Sequence, residues 1–466
     1  MKAPKRVSPA AGPGKPINGL RGLELLRSLG KLRDNPPDFL LKLALRFGGV
    51  TDLPFPFERV ILISNPEYIE YILHRNYANY LKDTGRWHSF REILGNGLLT
   101  ADGQDWRRQR QRVQPAFHQD RMPLLERAIE QETAILAEAW RRHARTSEPV
   151  PVLHDMLGLM LKILTRVMFS RDVGDVIDPV LAAFKTAHTF LNPFSVANLL
   201  DPPRFLRHLI SPGYGKFARS LRVLDDVVHR IIRDRVASGV DTGDMLSMLV
   251  SSRDEEANEL MNSTQVRDEV MTAFMAGHET TAIALTWTLY LLARHPTIEQ
   301  QVWEELRSAL AVGPVTLADL PKIDYLRCTI EEGMRLYPPG WGLDRRAAED
   351  DDIDGYRIPA NSTVAFSAYV VQHHPDYWPD AETFDPLRFT DERSKDRPLY
   401  AYFPFGGGPR RCIGHRVAMV QMQAALARLL REFKLELVSD EPVAPKAVLN
   451  LMPRREIFMK VTPRPT

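Results

Sequence analysis

Apolar residues recur at helical spacing along most of the chain. The pattern predicts helices over 37–47, 105–116, 122–144, 154–169, 179–191, 215–238 and 263–294, and a further helical run through Val417, Val420, Met422, Ala425, Leu426, Leu429 and Leu430. Short β-branched stretches predict strands at 60–63, 356–358, 363–366, 434–438 and 458–461, the second and third meeting across an Ala360-Asn361-Ser362 turn. Prolines punctuate these elements, and no internal repeat is visible. The expected fold is mainly α with small β-sheets: a single domain over 20–466 behind a flexible tail, 1–19, in a leader rich in Pro, Gly, Lys and Arg.

The helix over 263–294 breaks its own pattern. Its stretch 270–293 is apolar enough to test as a membrane span, yet His278 and Glu279 lie near its middle. An acid at a bilayer centre costs about 3 kcal/mol, so a buried helix of a large core is the better reading. Ala276-Gly277-His278-Glu279-Thr280-Thr281 also places a glycine and two threonines where helix design avoids them. Ala276 and Thr280 share a face, Gly277 thins the wall beside them, and an acid next to an alcohol can pass protons. A kinked core helix with a satisfied polar patch is the structural alternative. His278 has no second metal ligand four residues away and reads as a structural hydrogen-bonder.

Composition narrows the classes. The chain has 466 residues, 44% hydrophobic, with Lys+Arg 61 against Asp+Glu 59 and a net charge of +2. That size and apolar content fill a large core, and the balanced charge gives no global field for nucleic acid. Two cysteines exclude a disulfide framework and point to a reducing compartment. Cys328 follows a helical stretch and reads as an apolar filler. Cys412 is different: it lies in Phe405-Gly-Gly-Gly408-Pro-Arg410-Arg-Cys412-Ile-Gly414, just before the helical run. Glycines let backbone N–H groups approach sulfur, and a helix start favours thiolate. The stretch is a metal socket or a structural cysteine in a glycine turn.

Matched in full, the pattern F-x-x-G-x-R-x-C-x-G resembles the haem loop of the cytochrome P-450 superfamily. Three more of that family's motifs follow in its order: Trp106-x-x-x-Arg110, Ala276-Gly277-x-Glu279-Thr280, and Glu332-x-x-Arg335 with Phe384-Asp-Pro-Leu-Arg388-Phe389. The resemblance implies a triangular fold with haem b between the oxygen-binding helix and the helix after the cysteine loop. It makes Cys412 the iron ligand, shielded by Phe405 within a loop shaped by Gly408 and Gly414. Arg410, Trp106, Arg110 and Arg346 are implied at the haem propionates, Ala276 and Gly277 over the iron, and Glu279 and Thr280 as proton donors. Glu332, Arg335 and Arg388 would interlock to support the loop. Leu387 departs from the glutamate often found there.

The reaction implied is insertion of one atom of O2 into an apolar small molecule, by hydroxylation or epoxidation of a fatty acid, terpenoid, steroid or polyketide-like substrate. The alternatives are a haem-thiolate isomerase or peroxygenase, and a non-catalytic haem sensor; Glu279-Thr280 disfavours the former, and no output module is visible for the latter. No flavin or nicotinamide segment follows the haem loop and no ferredoxin-like cysteine set occurs, so electrons are expected from a separate ferredoxin and ferredoxin reductase. Arg107, Arg108, Arg112, Arg411, His415 and Arg416 are expected to form a basic docking patch on the thiolate side. Pocket walls are expected at 87–99, 191–213, Ala273, 339–343 and 449–452, with Asp344 as a polar contact, and 191–213 as a lid or a packed connection. The absence of an apolar leader points to a cytoplasmic, bacterial protein without a membrane anchor, or to an organelle transit peptide in the basic leader, and a monomer is expected.

Overall fold

The computed structural model describes residues 14–55, 58–170, 177–190, 213–251, 261–311 and 313–465. Of the expected 191–213 segment, all but Gly213 lies outside the described residues.

The long helix Ser263–Arg294 is the axis of the molecule. It starts at a capping box, with Asn262 Oδ1 accepting from Gln265 N–H at 2.9 Å and Gln265 Oε1 accepting from Asn262 N–H at 3.1 Å. Helices Val152–Phe169, Asp324–Leu336 and His415–Glu432 pack around it, and Met122–Thr146 bridges the first and last of these. Their apolar stripes form one continuous core in which Leu161, Phe274, Leu285, Trp287 and Leu429 are buried. Among the described residues no helix is long and apolar enough to cross a membrane.

Small sheets flank the helices. The largest has the strand order Val50–Pro54, Arg59–Ile63, Thr363–Phe366, Leu343–Ala347, Tyr80–Leu81, with only the second and third strands parallel. Phe433–Leu437 and Val150–Pro151 pair on either side of Phe458–Pro463.

Most predicted elements form where expected, but the 356–358 and 363–366 strands do not pair with each other. Tyr356–Ile358 pairs with Asp351–Ile353 across Asp354-Gly355, at φ 53° and 82°. Two left-handed residues in a two-residue loop match the twist of a tight hairpin, so this Asp-Gly turn recruits the strand. Thr363–Phe366 is left to enter the larger sheet. Helices Gly22–Asp34, Gly85–Leu94, Met245–Ser251 and Pro296–Ala309 were not predicted.

Candidate active site

A turn holds Cys412 at the threshold of His415–Glu432. Its N–H donates to the Phe405 carbonyl at 3.0 Å, and the Gly414 N–H donates to its sulfur. Gly408 has φ 64°, and a Cβ there would stand 1.9 Å from the Leu73 carbonyl oxygen. Only glycine lets the loop rest on the π-helical turn Tyr71–Arg75. Gly414 has φ −87°, open to any residue, so its contribution is the N–H. Cys412 is exposed by area, yet burial pushes its thiol pKa up, with Gly414 N–H, Arg110 and Arg411 opposing. Both are true of a side chain on the wall of an interior space.

The long helix carries an open face. From Val266 to Leu292 it is buried almost throughout, but Ala273, Ala276, Gly277 and Thr280 are not fully buried, and Ala276 is exposed. Their spacing of i, i+3, i+4, i+7 is one helix face. Ala273 shares an apolar cluster with Phe405, Ile413, Val417 and Met452. Thr280 Oγ1 donates to the Ala276 carbonyl at 3.1 Å, and Glu279 is buried on the next face. Gly277 also serves packing, since a Cβ there would meet a Leu164 methyl at 2.7 Å. His278 is structural, as expected, with Nδ1 2.6 Å from the Phe274 carbonyl.

The donor set between these walls suits haem. Lys82, Arg86, Arg345 and Arg410 gather around only two carboxylates, Asp102 and Asp344. With Arg91 also beside Lys82, the cations outnumber the carboxylates, an imbalance that suits the two propionates. Burial pulls Lys82 well below the usual lysine range and Arg345 down to about 10, with Arg345 and Arg410 adding to the cost at Lys82, and Arg410 and Arg86 to that at Arg345. The Nε atoms of Arg86 and Arg410 are buried without partners. Arg410 donates to the Ala101 carbonyl at 2.9 Å, pairs with Asp102, and lies 4.4 Å over the Trp106 ring. Such a cluster calls for buried anions, and the thiol, the open helix face and these cations together fit Cys-ligated haem b.

Of the other expected propionate arginines, Arg346 lies outside this cluster and Arg110 lies beside the sulfur. Arg346 points to the opposite face of its strand, donating to Asn361 O at 3.0 Å and lying 3.5 Å from Glu58. Successive strand residues alternate faces, so Arg345 is the one that joins the cluster. Arg110 lies on the sulfur side, where Nη1 donates to the Arg411 carbonyl at 3.3 Å and its charge acts on Cys412. Lys82 and Arg345 were missed because neither stands in a motif.

Glu332, Arg335 and Arg388 do interlock. Arg335 donates to Glu332 at 2.7 and 2.8 Å, and Arg388 Nε is 3.5 Å from the same carboxylate. Asp385 N–H adds a bond at 3.0 Å, while burial raises the Glu332 pKa against these pairings. Arg335 reaches further, to the carbonyls of Gln372, Ala381 and Thr383, and lies over Trp378. Gln372 in turn accepts from Phe403 N–H at 3.2 Å, two residues before Phe405. Of the expected basic patch, Arg107, Arg108, Arg411 and Arg416 are exposed; Arg112 and His415 are half-buried, with His415 Nδ1 3.1 Å from the Cys412 carbonyl.

Of the expected pocket walls, Leu98, Leu99, Ala273 and Met452 border the core cluster, and Asp344 accepts from Thr84 Oγ1 at 3.2 Å. The hollow at Tyr290, Tyr337 and Tyr369 lies at the far end of the long helix and includes none of the Cys412-side residues.

The family model for cytochrome P450 matches residues 17–461. Cyclooctatin synthase of Streptomyces melanosporofaciens is 33% identical over 433 residues, 92% of each chain. Pentalenene oxygenase of Streptomyces avermitilis is 34% identical over 375 residues, 80% of this chain and 81% of that one. Cyclooctat-9-en-7-ol 5-monooxygenase of S. melanosporofaciens is 30% identical over 401 residues, 86% and 85%. The loop geometry, the open helix face, the buried cations and this near-full-length likeness agree, and the chain belongs to the cytochrome P450 family of haem-dependent monooxygenases.

Proposed function

We propose that this chain inserts one atom of O2 into a terpenoid, with Cys412 as iron ligand, Glu279 and Thr280 as proton donors, and electrons from a separate ferredoxin and its reductase. The observation that carries the reading is the stripe Ala273, Ala276, Gly277, Thr280, left open on a helix otherwise buried. Small residues there admit a small ligand, and the one polar member is the alcohol. Bound haem supplies oxygen activation, for which cysteine thiolate is the electron-donating ligand. Gly414 N–H and Arg110 favour the thiolate and oppose the burial that disfavours it. Lys82, Arg345 and Arg410 take the propionates, and Thr280 relays protons that Glu279 supplies.

The terpenoid class is supported by the relatives named for pentalenene and cyclooctat-9-en-7-ol and by apolar walls at Leu98, Leu99 and Met452. Exposed Arg107, Arg108, Arg411 and Arg416 on the sulfur side suit an acidic electron donor. The domain is read as 20–466, a cytoplasmic monomer. The test is Cys412→Ser. The red-shifted Soret band of the reduced carbon monoxide complex should vanish, and product from O2 with NADPH and a surrogate ferredoxin system should vanish with it. A surviving band assigns the iron to another residue; product from peroxide alone, without the reductase system, would sink the monooxygenase reading.

A further inference from the structure

Glu279 is turned away from the open stripe. It is 4% exposed, and its Oε2 accepts a 2.8 Å hydrogen bond from Asn450 Nδ2. Neighbouring helix residues lie about 100° apart around the axis, so Thr280 faces the interior space while the Glu279 carboxyl lies against the turn that carries Asn450.

That turn is firmly held. Trp287, two helical turns beyond Glu279, donates its indole N–H to the Leu451 carbonyl at 2.8 Å, and Trp341 donates to the Val448 carbonyl at 3.1 Å. Leu451 N–H bonds the Pro339 carbonyl at 2.9 Å, and Val448 N–H closes on the Asn450 carbonyl at 3.1 Å. Leu449 and Met452, on either side, belong to the apolar cluster that includes Ala273. The same short segment is therefore packed on the long helix and is the seat of the acid.

An amide suits this place chemically. A lysine at 450 would fix the carboxyl as an anion, and an aspartate would repel it. Asn450 donates to the carboxylate without adding charge and without exchanging a proton itself. To serve Thr280, the carboxyl must leave Asn450 by rotating about its own side-chain bonds.

We propose that Asn450 is a positioning residue for the proton donor: it holds the Glu279 carboxyl on the 448–452 turn and releases it toward Thr280 when substrate presses on that turn. The proposal rests on the reading of Glu279 as donor. Substrates that miss the turn leave the acid held, and reducing equivalents then go to peroxide.

The test uses the holoenzyme with Glu279→Gln, Asn450→Leu and Asn450→Asp. The probe is whichever of farnesol, geranylgeraniol and pentalenene gives the largest spin-state shift. In resting protein, the carboxyl infrared band absent from E279Q identifies Glu279; it should shift on adding the probe to wild type. In N450L and N450D it should start displaced and not respond. With the acid no longer held, the product-to-peroxide ratio in N450L should stop differing between the probe and the terpenoid that gives the smallest spin-state shift, a difference of roughly tenfold in wild type, the lower bound for a hydrogen bond to a charge, with probe affinity unchanged. If E279Q uncouples while both Asn450 variants keep the wild-type band response and N450L keeps the wild-type difference in product-to-peroxide ratio between the two terpenoids, the proposal is overturned. If E279Q itself leaves coupling unchanged, the donor reading fails, and the proposal with it.

Discussion

Arg335→Lys separates the shape of a buried cation from its charge. Arg335 is fully buried and makes five hydrogen bonds: two to Glu332, at 2.7 and 2.8 Å, and one each to the carbonyls of Gln372, Ala381 and Thr383, at 2.8, 2.7 and 3.2 Å. An ammonium has three donors, so at least two of these acceptors must lose their partner. At about 1–3 kcal/mol for each buried orphan, the loss is about 2–6 kcal/mol against a typical total of about 5–15. The damage should begin near the haem loop, because Gln372 ties the Met334 and Arg335 carbonyls to Phe403 N–H. Urea unfolding followed in parallel by tryptophan fluorescence and by the Soret band checks this. Both midpoints should drop, the Soret first. Wild-type midpoints for both would show that charge alone holds the loop and refute the count of donors.

Arg345→Leu should release haem to an acceptor protein roughly tenfold faster, the effect of one charge-assisted bond, while Arg346→Leu leaves release unchanged; equal effects would refute the assignment by strand face. Thr280→Ala should keep haem and substrate binding in spectral titration and divert NADPH-derived electrons to peroxide. The Glu269 carboxyl, 1% exposed, is pushed by burial up to about 7, with nearby Asp268 adding to the shift while Leu98 N–H and Arg112 oppose it. Between its ordinary value of 4.5 and about 7 the folded state holds a proton that the unfolded state has lost, so stability falls as pH rises through that window. Glu269→Gln should flatten that fall, worth up to about 3 kcal/mol, in denaturation curves at pH 5 and pH 8. An unchanged slope would place the carboxyl's titration elsewhere.

Local sequence determined the chemistry of this protein. Cys412 with its glycines, the Glu279-Thr280 pair and the helical periodicity around them are short-range patterns, because capping, turn geometry and face-sharing act within a few residues. The Glu332–Arg335 pair was legible for the same reason, as was the structural role of His278. Tertiary structure decided what depends on elements meeting. It put Arg345, not Arg346, among the buried cations, since which strand face is inward is set by the pairing of 343–347 with 363–366. It brought Lys82 to Arg410 from over 300 residues away, assembling an excess of buried cations that no motif encodes. It also seated Glu279 on Asn450 across 171 positions of chain, a contact that exists only because the long helix and the 448–452 turn share one core.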